Sequence, residues 1–257
     1  MAEIKQKKII SASTGEEVSR KKIKQAAPTG NATGYRIGAI VLWVLGLVFE
    51  VLAILVALGK FFLSFMPSIA QLIMFLVLDL ICVVIGSLLW KKANHIKPAS
   101  EKNKLKFWLW NNLGVIVSVI AFVPFIIVML SSKNNDKRTK AIATVVAVIA
   151  LLIAGVFSYD FNPVSQEKKD EAVSTLGNDT VYWSPFGHVY HTHADCSHLN
   201  QTDTLTSGTV EQAIAANRTR ICKSCAARDS ITNLETDDAT IDTEFEKAAE
   251  EIEKGLN

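Results

Sequence analysis

Cysteine is scarce in this chain, and its distribution is lopsided: four occur in 257 residues, and three of them fall between Tyr190 and Cys225. So few thiols exclude a disulfide-built scaffold, because a bridge among the clustered three would leave one over. Lys, Arg and His are missing from every long apolar run, so no buried cation stands ready to neutralise the two carboxylates found there. Acidic residues are sparse in the first 159 positions, seven against nineteen basic ones, a net +12. Basic residues are sparse in the remainder, eight against eighteen acidic, a net −10. An acidic C-terminal part opposes phosphate backbones and weighs against a nucleic-acid-binding role for that part. Also absent are a Walker loop, any other nucleotide signature and a Ser-His-Asp set.

What is abundant is uninterrupted hydrophobicity. Four runs, Ile37–Leu58, Ile69–Trp90, Trp108–Leu130 and Ala141–Ser158, are long enough at ~1.5 Å per residue to cross a hydrocarbon core of roughly 30 Å. Trp90, Trp108 and Trp110 fall at run ends, where amphipathic rings favour the headgroup level. The first run follows 36 residues that carry eight Lys or Arg. It exceeds the ~7–15 apolar residues of a cleavable signal, so Ala57-Leu58-Gly59 is read as part of a retained anchor. The segment 1–36 and the loop 91–107 carry eight and six basic residues, against one in 59–68 and four in 131–140. The bias of basic residues toward the inner side places both termini in the cytoplasm of a multi-pass cell-membrane protein, with the 131–140 loop dissenting. The basic half also suits anionic lipid headgroups.

Two carboxylates interrupt the runs. Glu50 lies eight residues from the end of the first run and Asp79 ten residues into the second, depths of ~12 and ~15 Å that bring them within a turn of each other. Ionisable groups at such depth are costly and mark polar contacts or proton paths. The functional reading is a small transporter or a proton-linked sensor; the plainer one, one protonated acid hydrogen-bonded to a neighbour, stands beside it.

The chain divides into a basic, unstructured segment 1–36, a four-helix region 37–158, a polar linker 159–178, a small domain 179–230 and an acidic tail 231–257. In the tail Ile241, Phe245, Ala248 and Ile252 form a thin apolar stripe, a possible docking or self-association helix beside the plainer reading of a solvated one. In the small domain, Val181–Ser184 and His188–His191 read as two short strands about a turn. Thr209–Ala216 reads as a helix with Thr209 and Gln212 at capping-box spacing and Asn217 as its left-handed cap. A hairpin and one helix bury too little to stand alone, so a metal staple is expected. Cys222 and Cys225 form a CKSC knuckle, and Cys196 precedes it by 26 residues in a histidine-rich segment. Three thiolates and one imidazole fill a zinc tetrahedron. The histidine is open between His191 and His193, since His198 is only two residues past Cys196, His188 reads as a strand side chain and His95 as solvated. Cys82 reads as a packing residue.

Tyr190, His191, Cys196, Leu199, Glu211, Ala213, Ile214, Arg220, Cys222, Lys223 and Cys225 together resemble the metal-binding domain of the Ada family, over some 45 residues. The resemblance implies a zinc domain in which the first of four cysteines takes a methyl group from a DNA phosphotriester. Here His191 stands at that position, so the resemblance implies the zinc scaffold without methyl transfer, with His191, Cys196, Cys222 and Cys225 as ligands. The expected class is four transmembrane helices plus a small α+β zinc-binding domain. The expected role is an integral membrane protein displaying a zinc-stabilised binding module whose ligand the sequence does not name, with the module or the acidic C-terminal helix as the surface for a protein partner. A zinc hydrolase is the remaining alternative; it needs an open coordination position.

Overall fold

The computed structural model describes residues 22–133 and 135–236. Two compact units share the chain: Asn31–Ser165 forms one, while the segment up to Gly30 joins Gln166 onward in the other. The stripe at 241–252 and residues 1–21 lie outside the described residues.

The first unit contains α1 (Ala32–Ala57), α2 (Ser68–Ile96), α3 (Lys104–Asn111), α4 (Leu113–Ser131) and α5 (Lys137–Ser158). Of these, α1, α2, α4 and α5 are long and apolar enough to cross a membrane. Asn31, Asn103 and Asp136 accept backbone N–H groups at the starts of α1, α3 and α5, satisfying donors that a helix start leaves over. The third apolar run is not one helix. Asn112 ends α3 and begins α4, and its Nδ2 donates to Trp108 O at 3.0 Å, turning Trp108 and Trp110 into a separate short helix. α2 continues past Trp90 to Ile96, so His95 lies on a helix.

Small residues let these helices approach. Ala143, Ala147, Ala150 and Ala154 recur along one face of α5 and are buried, the packing expected where lipid supplies no hydrophobic drive between helices. A Cβ on Gly46 would come within 2.7 Å of Asp79 Oδ1, and one on Gly86 within 2.7 Å of Trp43. Only glycine permits that contact between α1 and α2. Phe75, Leu76, Phe122, Phe125 and Met129 fill the centre, while Ile37, Val41, Val44, Val48 and Val51 leave the outer face of α1 apolar and exposed.

The second unit is built from β1 (Lys22–Gln25), α6 (Gln166–Leu176), β2 (Val181–Trp183), β3 (Val189–Tyr190), β4 (Thr204–Gly208), α7 (Val210–Ala215), β5 (Arg220–Ile221) and α8 (Lys223–Arg228). β4 is central in a three-stranded sheet, parallel to β1 and antiparallel to β2. β3 and β5 pair in parallel as a second, two-stranded sheet. Three expectations are corrected. Part of the segment read as unstructured supplies β1, because its backbone completes an edge of β4. The linker read at 159–178 contains α6, whose Ala172 and Leu176 are buried. The expected hairpin reduces to one bridge, Tyr182 to His191, because β2 and β3 take different partners beyond it. The Thr209–Gln212 capping box is formed on α7, and Asn217 follows that helix at φ 65.

Candidate metal centre and buried carboxylates

Four short elements of the second unit converge on one point. β3 carries His191 at its end, where the residue is fixed from two sides. Its N–H and C=O exchange 2.7 Å hydrogen bonds with Tyr182, and the preceding Tyr190 O accepts the Cys222 N–H at 2.9 Å. The β3–β5 pairing thereby sets His191 beside the knuckle. Cys222 is the N-cap of α8 and Cys225 lies one turn on, so the helical period turns both sulfurs to the same side. Cys196 heads the 3₁₀ turn Ser197–Leu199, which the buried Leu199 pins to the core.

The outcome is a buried set of four donors, one each from His191, Cys196, Cys222 and Cys225, all within 4.8 Å of one another. Cys196 Sγ and Cys222 Sγ are 3.9 Å apart, and Cys225 Sγ is 3.7 Å from His191 Nδ1. The sulfur separation is far too long for a disulfide, and the cysteines are free. Burial, then the neighbouring thiols, push the Cys196 thiol up to about 12, against a backbone N–H from His198 that favours the thiolate. Burial raises Cys222 as well, despite N–H groups from Ser224 and Cys225 directed at its sulfur. Thiols packed this way carry negative charge when a cation is among them, and the group can hold a metal ion.

The other histidines are placed elsewhere. His193 Nε2 lies 2.7 Å from Asp229 Oδ1, and the residue is not one of the four converging donors. Asp229 also accepts from Thr192, and that hydrogen bond, ahead of His193, holds its carboxyl below the usual range. His188 is exposed in the bend before β3 rather than within a strand. His198 is closer than the sequence suggested: its Nδ1 is 3.3 Å from Cys222 Sγ and 3.8 Å from Cys196 Sγ, at the rim of the donor set. His95, read as solvated, is buried in the last turn of α2 with Nε2 2.8 Å from Asp160 Oδ2. Nothing local reveals this, since its partner arrives 65 residues later.

In the first unit Glu50 and Asp79 are 3% and 0% exposed. Glu50 Oε1 accepts the N–H of Phe125 at 3.0 Å, immediately after Pro124, where proline interrupts the ladder of α4. Glu50 Oε2 and both Asp79 oxygens are buried without a hydrogen-bond partner among the described residues. Asp79 Oδ1 packs against Gly46, one turn before Glu50. Cys82, on the next turn of α2 and also buried, is a packing residue.

Compared with models of protein families, with curated proteins and with solved structures, the chain matches none of them.

Proposed function

We propose that this is an integral membrane protein that displays a zinc-stabilised binding module, and that the module performs no methyl transfer. The observation carrying the reading is the buried Cys₃His set. With Zn–S near 2.3 Å and Zn–N near 2.0 Å, a tetrahedron has edges of about 3.8 Å between sulfurs and about 3.5 Å between sulfur and nitrogen. The 3.9 and 3.7 Å separations fit those edges. Four protein donors complete the tetrahedron, which favours a structural ion over a hydrolase, whose zinc keeps a place for water. The resemblance to the Ada metal-binding domain points the same way: His191 at the position of the methyl-accepting thiolate keeps a ligand and removes the nucleophile. In so small a unit, binding the ion and folding are one equilibrium. The module's surface is left for a partner, a protein in preference to a nucleic acid given the −10 charge of residues 160–257.

The test is metal analysis of the purified full-length protein in detergent. One zinc per chain is expected, with a cobalt-substituted spectrum of a tetrahedral thiolate site that added anions leave unchanged. A chain that keeps its fold metal-free after chelation overturns the zinc reading; a spectrum that responds to anions restores the hydrolase. Mass spectrometry after incubation with methylated DNA should show no methyl adduct on Cys196, Cys222 or Cys225.

A second reading, a proton-linked sensor or transporter, is favoured by Glu50 and Asp79. Three of their four carboxylate oxygens meet no donor among the described residues, so a proton or a cation is needed between them. Asp79→Asn with zinc content intact should then abolish proton uptake into proteoliposomes under an imposed potential. Unchanged uptake removes this reading and leaves the first standing.

A further inference from the structure

Between positions 80 and 135 the chain has seven lysines and a single acidic residue, Glu101. Where α1 begins and α2 gives way to α3, part of this charge surrounds a cavity of about 380 Å³ lined by Arg36, Lys97, Lys102, Asn103, Lys106 and Trp110. Among the described residues, no acidic side chain lines it. Arg36 is held in place: Nη2 donates to Lys97 O at 2.8 Å, and its guanidinium lies 5.9 and 5.4 Å from the ring centroids of Trp90 and Trp110. Yet Arg36 Nε is buried without an acceptor among the described residues. A guanidinium packed against a pair of touching indoles, its Nε short of an acceptor among the described residues, in a cavity lined by three lysines, matches the geometry and charge of a phosphate.

Directly alongside lies a second cavity of about 350 Å³. It shares Asn103, Lys106 and Trp110 with the first, and its remaining walls are Leu105, Leu109 and Leu113. The polar cup and the apolar groove are therefore continuous around α3, whose Leu105, Trp108 and Leu109 are exposed. An eight-residue helix between two spanning helices, with this division of side chains, belongs at the headgroup level.

We propose that the double cavity binds one anionic phospholipid, its phosphate among Arg36, Lys97, Lys102 and Lys106 and an acyl chain along Leu105, Leu109 and Leu113. A free phosphate uses only the first cavity, and a zwitterionic lipid leaves the cationic cup unneutralised. Basic pockets between transmembrane helices take anionic headgroups in this way. The proposal rests on the helices lying in a bilayer, which the same experiment reports separately.

The full-length protein is reconstituted in phosphatidylcholine nanodiscs, and tryptophan quenching is followed as brominated phosphatidylglycerol or brominated phosphatidylcholine replaces the host lipid. Trp108 and Trp110 flank the groove and act as reporters. Quenching by the brominated phosphatidylcholine shows contact with lipid; its complete absence sinks the membrane reading and the lipid site with it. The anionic lipid should quench at far lower mole fraction. Each cationic side chain carries about a fivefold preference, so Lys97→Gln, Lys102→Gln and Lys106→Gln together should cut the anionic preference by on the order of a hundredfold. These lysines are exposed and the triple variant should keep its fold; Leu109→Gln should weaken both lipids through the groove alone. Equal quenching by the two lipids, or a triple variant that keeps the preference, overturns the site. Displacement of the brominated lipid by millimolar inorganic phosphate overturns the lipid assignment in favour of a free anion.

Discussion

Replacing His198 with alanine separates the two histidines nearest the sulfurs. His191 Nδ1 is inside the four-donor set, whereas His198 Nδ1 touches Cys222 Sγ at 3.3 Å and Cys196 Sγ at 3.8 Å from its rim. With a metal ion in the set and Nδ1 protonated, His198 would donate a hydrogen bond to a charged sulfur, worth about 1.5–3 kcal/mol. Outer partners of metal ligands are worth about 10–100-fold in affinity, which at roughly 1.4 kcal/mol per decade is the same size. Because His198 is exposed and water competes for the same sulfur, the lower end applies. His198→Ala should therefore weaken metal binding about tenfold. His193→Ala, which removes the contact to Asp229 from the same loop, should change affinity by no more than about twofold, the size of an ordinary surface substitution. His191→Ala should lose the ion to a chelator that the other two variants withstand. Competition of the purified protein against a chelator of known affinity measures all three. If His198→Ala strips the metal and His191→Ala retains it, the ligand assignment is reversed. Equal, small effects at 193 and 198 would show that the rim contact does not act on the ion.

Gly46→Ala should destabilise the spanning-helix unit by about 1–3 kcal/mol through overpacking against Asp79, lowering its melting temperature in detergent. Gly155→Ala, where an added Cβ meets nothing within 4 Å, should be neutral or stabilising, and similar effects at the two sites would contradict the packing of α1 on α2. Asp160 gives a pH dependence of definite sign. Burial alone would raise its carboxyl, but the hydrogen bond and charge of His95, with Asn162 and Lys91, outweigh it and hold the group below the usual range. The resulting stability is complete above an unfolded value of about 3.9 and disappears as pH falls through the lower folded value. Asp160→Asn should melt earlier at neutral pH and show no such acid step; a melting profile like that of the parent protein would refute the pairing. With both termini proposed to be cytoplasmic from the bias of basic residues, an impermeant thiol reagent applied to intact cells after chelation should leave Cys196, Cys222 and Cys225 unmodified until the membrane is opened. Immediate labelling would put the module outside.

The parts of this fold visible in the sequence are those whose causes are local. An apolar run needs no partner to declare itself, and the four runs lie within a few residues of α1, α2, α4 and α5. The same holds for Thr209, Gln212 and Asn217, whose roles at the ends of α7 depend on neighbours three or four positions away. The cysteines were visible because their spacing is itself a geometric statement, and the structure brings them together with His191. What stayed hidden depends on remote partners. β1 has no pattern of its own and exists because β4 offers an edge. The buried His95 is paired with Asp160 and His193 with Asp229, 65 and 36 positions further along the chain. The break at Asn112 did leave a signal in Asn111-Asn112, two polar residues in succession inside an apolar run, with Lys104 and Lys106 just ahead.

The parallel pairing of Lys22–Gln25 with Thr204–Ser207 ties synthesis of the module to synthesis of everything between. The strand that leaves the ribosome first waits for a partner some 180 positions later, a delay of about ten to forty seconds at ordinary elongation rates. Throughout that interval β1 is an unpaired edge. Where the four apolar helices between the strands cross a bilayer, as their length and composition allow, the partner reaches β1 only if the number of crossings is even, since an odd number leaves the two strands in different compartments. A chain with one helix misinserted would present β4 with a bare edge and an incomplete sheet, a lesion that proteases recognise. In a bilayer, the short N-terminal strand would thus make completion of the module a parity check on insertion.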